Sequence, residues 1–129
     1  MEVARTRHYR NLLVWQKSMG LARHVYHATT ALPKAELFGL TMQMRRAAVS
    51  VPSNIAEGHG RLSDKSLRVF LAQARGSLYE LETQLQLAED LGYVDAETTG
   101  NLKAESAEVG KMLNGLLHAI ERSSDREGC

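Results

Sequence analysis

Leu67, Leu71, Ala74, Leu78, Leu81, Leu85 and Ala88 recur at alternating intervals of four and three residues. At 3.6 residues per turn, that spacing puts all of them on one helical stripe. A strand would need an apolar residue at every second position, so the pattern excludes a sheet here. A helix this regular must bury its stripe against other helices. Ser63 supplies an N-cap, and Asp64 suits the positive helix start. Gly92 ends the helix, and Asp95 is a second N-cap candidate before the next one.

Three further segments carry the same periodicity. One runs from about Asn11 to Thr30, with Leu12, Trp15, Met19, Ala22, Val25 or Tyr26, and Thr29 inward. Pro33 suits the first turn of a second helix, about Lys34 to Glu57. Its inward stripe is Leu37, Leu40 or Thr41, Met44, Ala47 or Ala48, Val51 and Ile55. Pro52 falls inside this helix, removes a backbone donor and predicts a kink or a break. Gly58 would then cap the helix in the left-handed conformation. The last helix, about Ala96 to Glu121, turns Leu102, Val109, Met112 or Leu113, Leu116 and Ile120 inward.

Short connections make neighbouring helices antiparallel. Counting outward from Gly92 sets Leu85 near Leu102, Leu78 near Val109, Ala74 near Leu113 and Leu71 near Leu116. Counting outward from Gly60 sets Ala47 near Ala74 and Gly76, and Arg46 near Arg75. The expected fold is an all-α, antiparallel, up-down-up-down four-helix bundle, with helix two kinked near Pro52. Its 129 residues form one domain with a core at about 9–122 and short polar tails.

Charge is unevenly spread. Residues 1–78 hold 12 Lys/Arg against 4 Asp/Glu, and residues 79–129 hold 4 against 11, for a net charge of +1. Such asymmetry marks a basic binding face or complementary surfaces that meet within or between subunits. Arg45, Arg46, Arg61, Lys65, Arg68 and Arg75 form the candidate nucleic-acid-binding set on helices two and three. The competing reading is a face neutralised by Glu80 and Glu82. Leu13, Val14 and Trp15 wrap most of helix one, and Phe38 and Tyr79 sit off the seams. These five predict an oligomer interface.

Nothing in the sequence assembles catalytic chemistry. His24 and His27 share a face, but no Glu-x-x-His pair accompanies them, and no His-Glu-x-x-His motif or Gly-rich phosphate loop occurs. No metal and no cofactor are expected, and the chain is read as non-enzymatic. The sole cysteine is Cys129 and no apolar run approaches a membrane span, which fits a cytoplasmic protein. Ser50, Pro52, Ser53, Asn54, Glu57 and Gly58 form the most unusual local motif. Its serines and asparagine are placed to bond backbone groups freed by the proline.

Several stretches resemble one known family: Leu13-Val14-Trp15-Gln16-Lys17, Glu36-Leu37-Phe38-Gly39-Leu40 and Gln43-Met44-Arg45-Arg46-Ala47-Ala48. Ser50-Val51-Pro52-Ser53-Asn54-Ile55-Ala56-Glu57-Gly58 is the most specific. Ala74-Arg75-Gly76-Ser77-Leu78-Tyr79-Glu80-Leu81-Glu82-Thr83 and Leu91-Gly92-Tyr93 follow. The chain is similar here to four-helix bundle proteins named after intervening sequences in bacterial large-subunit ribosomal RNA genes. That resemblance implies a ring-forming bundle, typically a pentamer. A related branch, the accessory protein of diversity-generating retroelements, works with a reverse transcriptase and binds nucleic acid through a basic surface. The expected function is a non-enzymatic homo-oligomer that binds structured RNA or a nucleic-acid enzyme. The alternative is a structural or protein-interaction module that binds no nucleic acid.

Overall fold

The computed structural model describes residues 8–128, with side chains to residue 123. Met1–Arg7 and Cys129 lie outside the described residues. Four α-helices follow in order: α1 Leu13–Thr29, α2 Leu40–His59, α3 Asp64–Asp90 and α4 Ala96–Gly128. No strand occurs among the described residues. Each helix packs on its neighbour in sequence, and α1 also packs on α4, so the four enclose a single core.

The α3 seam is buried as its spacing requires: Leu67, Leu71, Ala74, Leu78, Leu81, Leu85 and Ala88 all lie in the core. Ser63 accepts the Ser66 N–H at 3.2 Å and starts the helix. At its end Gly92 takes φ +74°. Gly92 N–H then donates to Glu89 O and Tyr93 N–H to Ala88 O, both at 2.9 Å, which closes the helix as a Schellman motif. Asp95 accepts the Thr98 N–H at 2.7 Å and opens α4. That bond holds the Asp95 carboxyl below the usual carboxylate range.

Across α3 and α4, contacts descend one helix as they climb the other, in the antiparallel sense. Thr99 bonds Glu89, Ser106 bonds Glu82, and Arg75 bonds Asn114. This register lies within a residue or two of the one counted from Gly92. Polar Thr99 and Ser106 belong to the buried stripe because each finds a carboxylate partner on α3. Leu117, not Leu116, is the buried leucine of that pair.

Helix α1 buries Val14, Ser18, Leu21, Ala22, Val25 and Thr29. The expected stripe carried Trp15 and Met19, which are only half-buried. The face is rotated because Ser18 can be buried without an orphan: its hydroxyl donates to Trp15 O at 2.9 Å.

Helix α2 begins six residues later than expected. Lys34–Glu36 form a 3-10 turn, and the chain turns again through Gly39. Glu36 explains the start, because one carboxylate oxygen accepts the Leu40 N–H at 3.2 Å. The other accepts the Tyr93 hydroxyl at 3.1 Å, tying the α1–α2 connection to the α3–α4 connection. This bond, with Glu36's charge beside it, raises the pKa of the phenol. Leu37, expected inward, is therefore exposed in the connection.

No break occurs at Pro52, and the helix continues through it to His59. Asn54 bridges the turn there, with its amide donating to Ser50 O at 2.8 Å and Ser50 Oγ at 2.9 Å. Ser50 Oγ also meets Ser77 Oγ at 2.8 Å, which links the motif to α3. Ser53 and Glu57 are exposed, so Ser53 is not part of this network. Gly58 is not a left-handed cap. It is a buried residue inside α2, and a Cβ there would lie 2.8 Å from Phe70 Cβ. Glycine is needed at that position because α3 comes so close.

Candidate nucleic-acid interface

The six cations do not share one face. Because α2 runs on to His59, Ser50 faces Ser77 and Gly58 faces Phe70. This is about six residues of α3, nearly two helical turns, beyond the register counted from Gly60. Arg46 therefore shares a groove with Glu80, Thr83 and Gln84 of α3, and not with Arg75. Gly76, expected at a close helix approach, has open space around it.

Arg45 is committed to α1. Its Nε donates to Thr29 Oγ1 at 2.9 Å and its Nη2 to Tyr26 O at 3.3 Å, with the guanidinium 4.7 Å from the Tyr26 ring centre. Arg75 turns to α4 and donates to Asn114 Oδ1 at 3.0 Å. It lines a groove with Arg68, Gln73, Leu117 and Glu121. Arg61 stacks over Phe70 at 4.5 Å. Lys65 is exposed on the first turn of α3.

Among the described residues, none of the six forms an ion pair; Lys17 pairs with Glu108 and Lys103 with Glu89, while the His24 and His118 rings lie against Glu105 and Glu121. The Lys17–Glu108 pair joins α1 to α4, so part of the basic half is neutralised by the acidic half inside the subunit. Glu82 is held by Ser106 and does not pair with the basic set. Of the six, Arg46 thus stands alone in the α2/α3 groove, and Arg61, Lys65 and Arg68 lie in or just after the α2–α3 connection.

The expected interface residues also separate. Leu13, Phe38 and Tyr79 are exposed, Phe38 by 82%. Val14 is 3% exposed and belongs to the subunit's own core, so it is removed from the interface set. Trp15 is half-buried and meets Tyr9 edge-on at 5.2 Å. It walls an apolar hollow of about 530 Å³ between α1 and α2, together with Met19, Tyr26, Val49 and Pro52. A second hollow shares Tyr26 and adds Leu37, Phe38 and Met42. Sequence reasoning missed Tyr26, Leu37, Met42 and Val49 as surface residues, because helical spacing alone does not mark which apolar positions stay uncovered.

Among the described residues no group of three or more His, Cys, Asp and Glu is placed to hold a metal, and no helix is long and apolar enough to cross a membrane. The architecture is that of a four-helix bundle domain with open grooves between its helices. Residues 10–115 match the model of the 23S rRNA-intervening sequence protein, and the chain belongs to that family. A solved structure with the same fold comes from Bacteroides thetaiotaomicron VPI-5482, a protein with unknown function from the S23 ribosomal protein family. It has a TM-score of 0.75 and 24% sequence identity, over 81% of this chain and 98% of that one. No curated protein matches the chain.

Proposed function

We propose that this chain is a non-catalytic, self-associating helical bundle that binds structured RNA through phosphate contacts. The observation that carries the reading is that, among the described residues, Arg46, Arg61, Lys65 and Arg68 form no ion pair, on a chain whose Lys and Arg concentrate in its first 78 residues. Cations free of ion pairs on a nearly neutral chain contribute a local field, and repeating them in an assembly multiplies it. The family's name, which refers to ribosomal RNA, points the same way. Arg45 and Arg75 act in this reading as packing residues. The scarcity of exposed aromatics on α3 and α4 favours folded RNA over a stacked single strand. The test is a titration of a folded RNA against wild type and an Arg46→Gln, Lys65→Gln, Arg68→Gln variant. Binding should fall at least about tenfold in the variant while its mass in solution stays unchanged. Equal binding by both proteins would remove these cations from the site.

A second reading is favoured by the α1/α2 hollows. Phe38, Leu37, Met42, Tyr26 and Val49 form more uncovered apolar surface than a solitary bundle needs. In that reading the chain is an assembly module alone. It predicts a stable oligomer that ignores RNA at low salt.

A further inference from the structure

We propose that the apolar groove between α1 and α2 receives the outward ridge of α3 from a second copy of the chain. The inference rests on the self-association in the reading above and names the two surfaces that meet.

Two apolar strips stay uncovered, and they lie on different helices. The first is the pair of hollows between α1 and α2, joined at Tyr26 and bordered by Leu37, Phe38, Met42 and Val49. It follows α1 from Trp15 to Tyr26, about 16 Å at 1.5 Å per residue, and continues to Phe38. The second strip is on α3 and its C-cap. Tyr79, Thr83, Leu87 and Leu91 succeed one another at intervals of four, and all are exposed. That spacing makes one ridge of a helix surface, about 18 Å long, and such ridges pack into grooves of other helices. Leu78, Leu81 and Leu85 are buried on the opposite side of α3, so the ridge is a second apolar face of that helix. It turns outward, and a copy cannot fill its own groove with it.

Charge decides what covers each strip. Helix α1 contains no Asp or Glu, and α2 contains only Glu57, in its last turn. Arg23, Arg45 and Arg46 line the hollows, and no carboxylate does. Arg23 is exposed and forms no ion pair among the described residues. The chain from Tyr79 to Gly92 is the reverse: it holds Glu80, Glu82, Glu89 and Asp90 and no Lys or Arg. Glu80 and Asp90 are exposed beside the ridge, and Asp90 accepts the Gln86 amide at 2.7 Å without losing its charge. Two grooves face to face would set like charges together, and so would two ridges. Groove on ridge sets arginine beside carboxylate and apolar strip on apolar strip. The contact is therefore heterologous: each copy offers a groove to one neighbour and a ridge to the next, and copies add until the rotation closes. The pairing draws on Arg23 and leaves Lys65, Arg68 and the α2/α3 side of Arg46 to RNA.

The test uses two full-length variants changed at exposed positions only. One blocks the groove, with Arg23→Glu and Phe38→Ser. The other blocks the ridge, with Glu80→Lys and Leu87→Lys. Both should keep the far-ultraviolet circular dichroism spectrum of wild type. Light scattering should find each variant alone at the 14.3 kDa of one chain. Mixed in equal amounts they should form a dimer of twice that mass and nothing larger, because one intact ridge and one intact groove remain in the pair. The mixture is read at hundreds of micromolar, since a single contact lacks the support of a closed assembly. A mixture that stays monomeric there would overturn the pairing. So would a variant that associates by itself, because its intact strip would then meet its like. In both cases an oligomeric wild type leaves the self-association reading standing. A monomeric wild type would remove that reading and the pairing together.

Discussion

Replacing Gly58 with alanine tests how closely α2 and α3 approach. The new Cβ would lie 2.8 Å from Phe70 Cβ and 3.2 Å from Leu67 Cδ1. The leucine tip can rotate away, but Phe70 Cβ is fixed to the α3 backbone, so the helix itself must shift. Overpacking of this kind costs about 1–3 kcal/mol. Contact with a Cβ puts the cost in the upper part of that range. Alanine's better helix propensity offsets about 1 kcal/mol. The net loss is about 1–2 kcal/mol, or a fall in Tm of about 3–10 °C for a domain of this size. Gly76→Ala is the internal control. It lies in α3 with no atom within 4 Å of its Cβ position. Only the propensity gain acts there, so stability should rise by up to about 1 kcal/mol. Thermal melts followed by far-ultraviolet circular dichroism, at one fixed protein concentration, read both changes. The reasoning is refuted if Gly58→Ala melts as high as wild type, or if both alanines shift Tm in the same direction.

Three further outcomes follow from the geometry. Asn54→Ala removes both donations to Ser50 at a half-buried site, so urea unfolding should report a loss of about 1–2 kcal/mol; no loss would mean that water replaces the amide fully. Phe38→Ser changes an 82% exposed side chain, so the bundle's own stability should move by less than about 0.5 kcal/mol while light scattering shows a smaller assembly; an unchanged mass would place the interface elsewhere. The Asp95 carboxyl is held below its ordinary value by the Thr98 N–H, so its contribution is complete above the unfolded-state pKa and is lost as pH falls through the lowered folded value. Asp95→Asn should flatten that part of the acid limb in pH-dependent melts, and an acid limb identical to wild type would contradict the assignment.

The sequence was most legible where one residue decides one bond. The α3 seam, the Ser63 and Asp95 caps and the Gly92 stop could be read because each follows from spacing or local chemistry. The α3/α4 register followed from the tight turn at Gly92. The α2/α3 register did not, because a helix that continues past Pro52 and Gly58 moves every contact by nearly two turns of α3. That shift separates Arg46 from Arg75 and divides the expected basic face. Burial of Thr99 and Ser106 was also illegible, since a hydrophobic pattern skips polar residues whose partners lie on another helix, and Ser18 is skipped likewise although its hydroxyl bonds Trp15 O within α1. Val14 misled for the opposite reason: four consecutive apolar residues cover the circumference, and only the packing tells which of them faces inward.

The central claim is that the cations free of ion pairs on this bundle hold RNA by its phosphates. The slope of log binding constant against log salt, measured for wild type with one folded RNA, tests it most directly. Each phosphate contact contributes about 0.7–0.9 to that slope. Arg46, Lys65 and Arg68 should make the wild-type slope steeper by about 2–3 than that of the variant with all three changed to glutamine, with both proteins showing the same mass by light scattering. A wild-type protein that shows no RNA binding at low salt, or a slope that the three substitutions leave unchanged, would contradict the account.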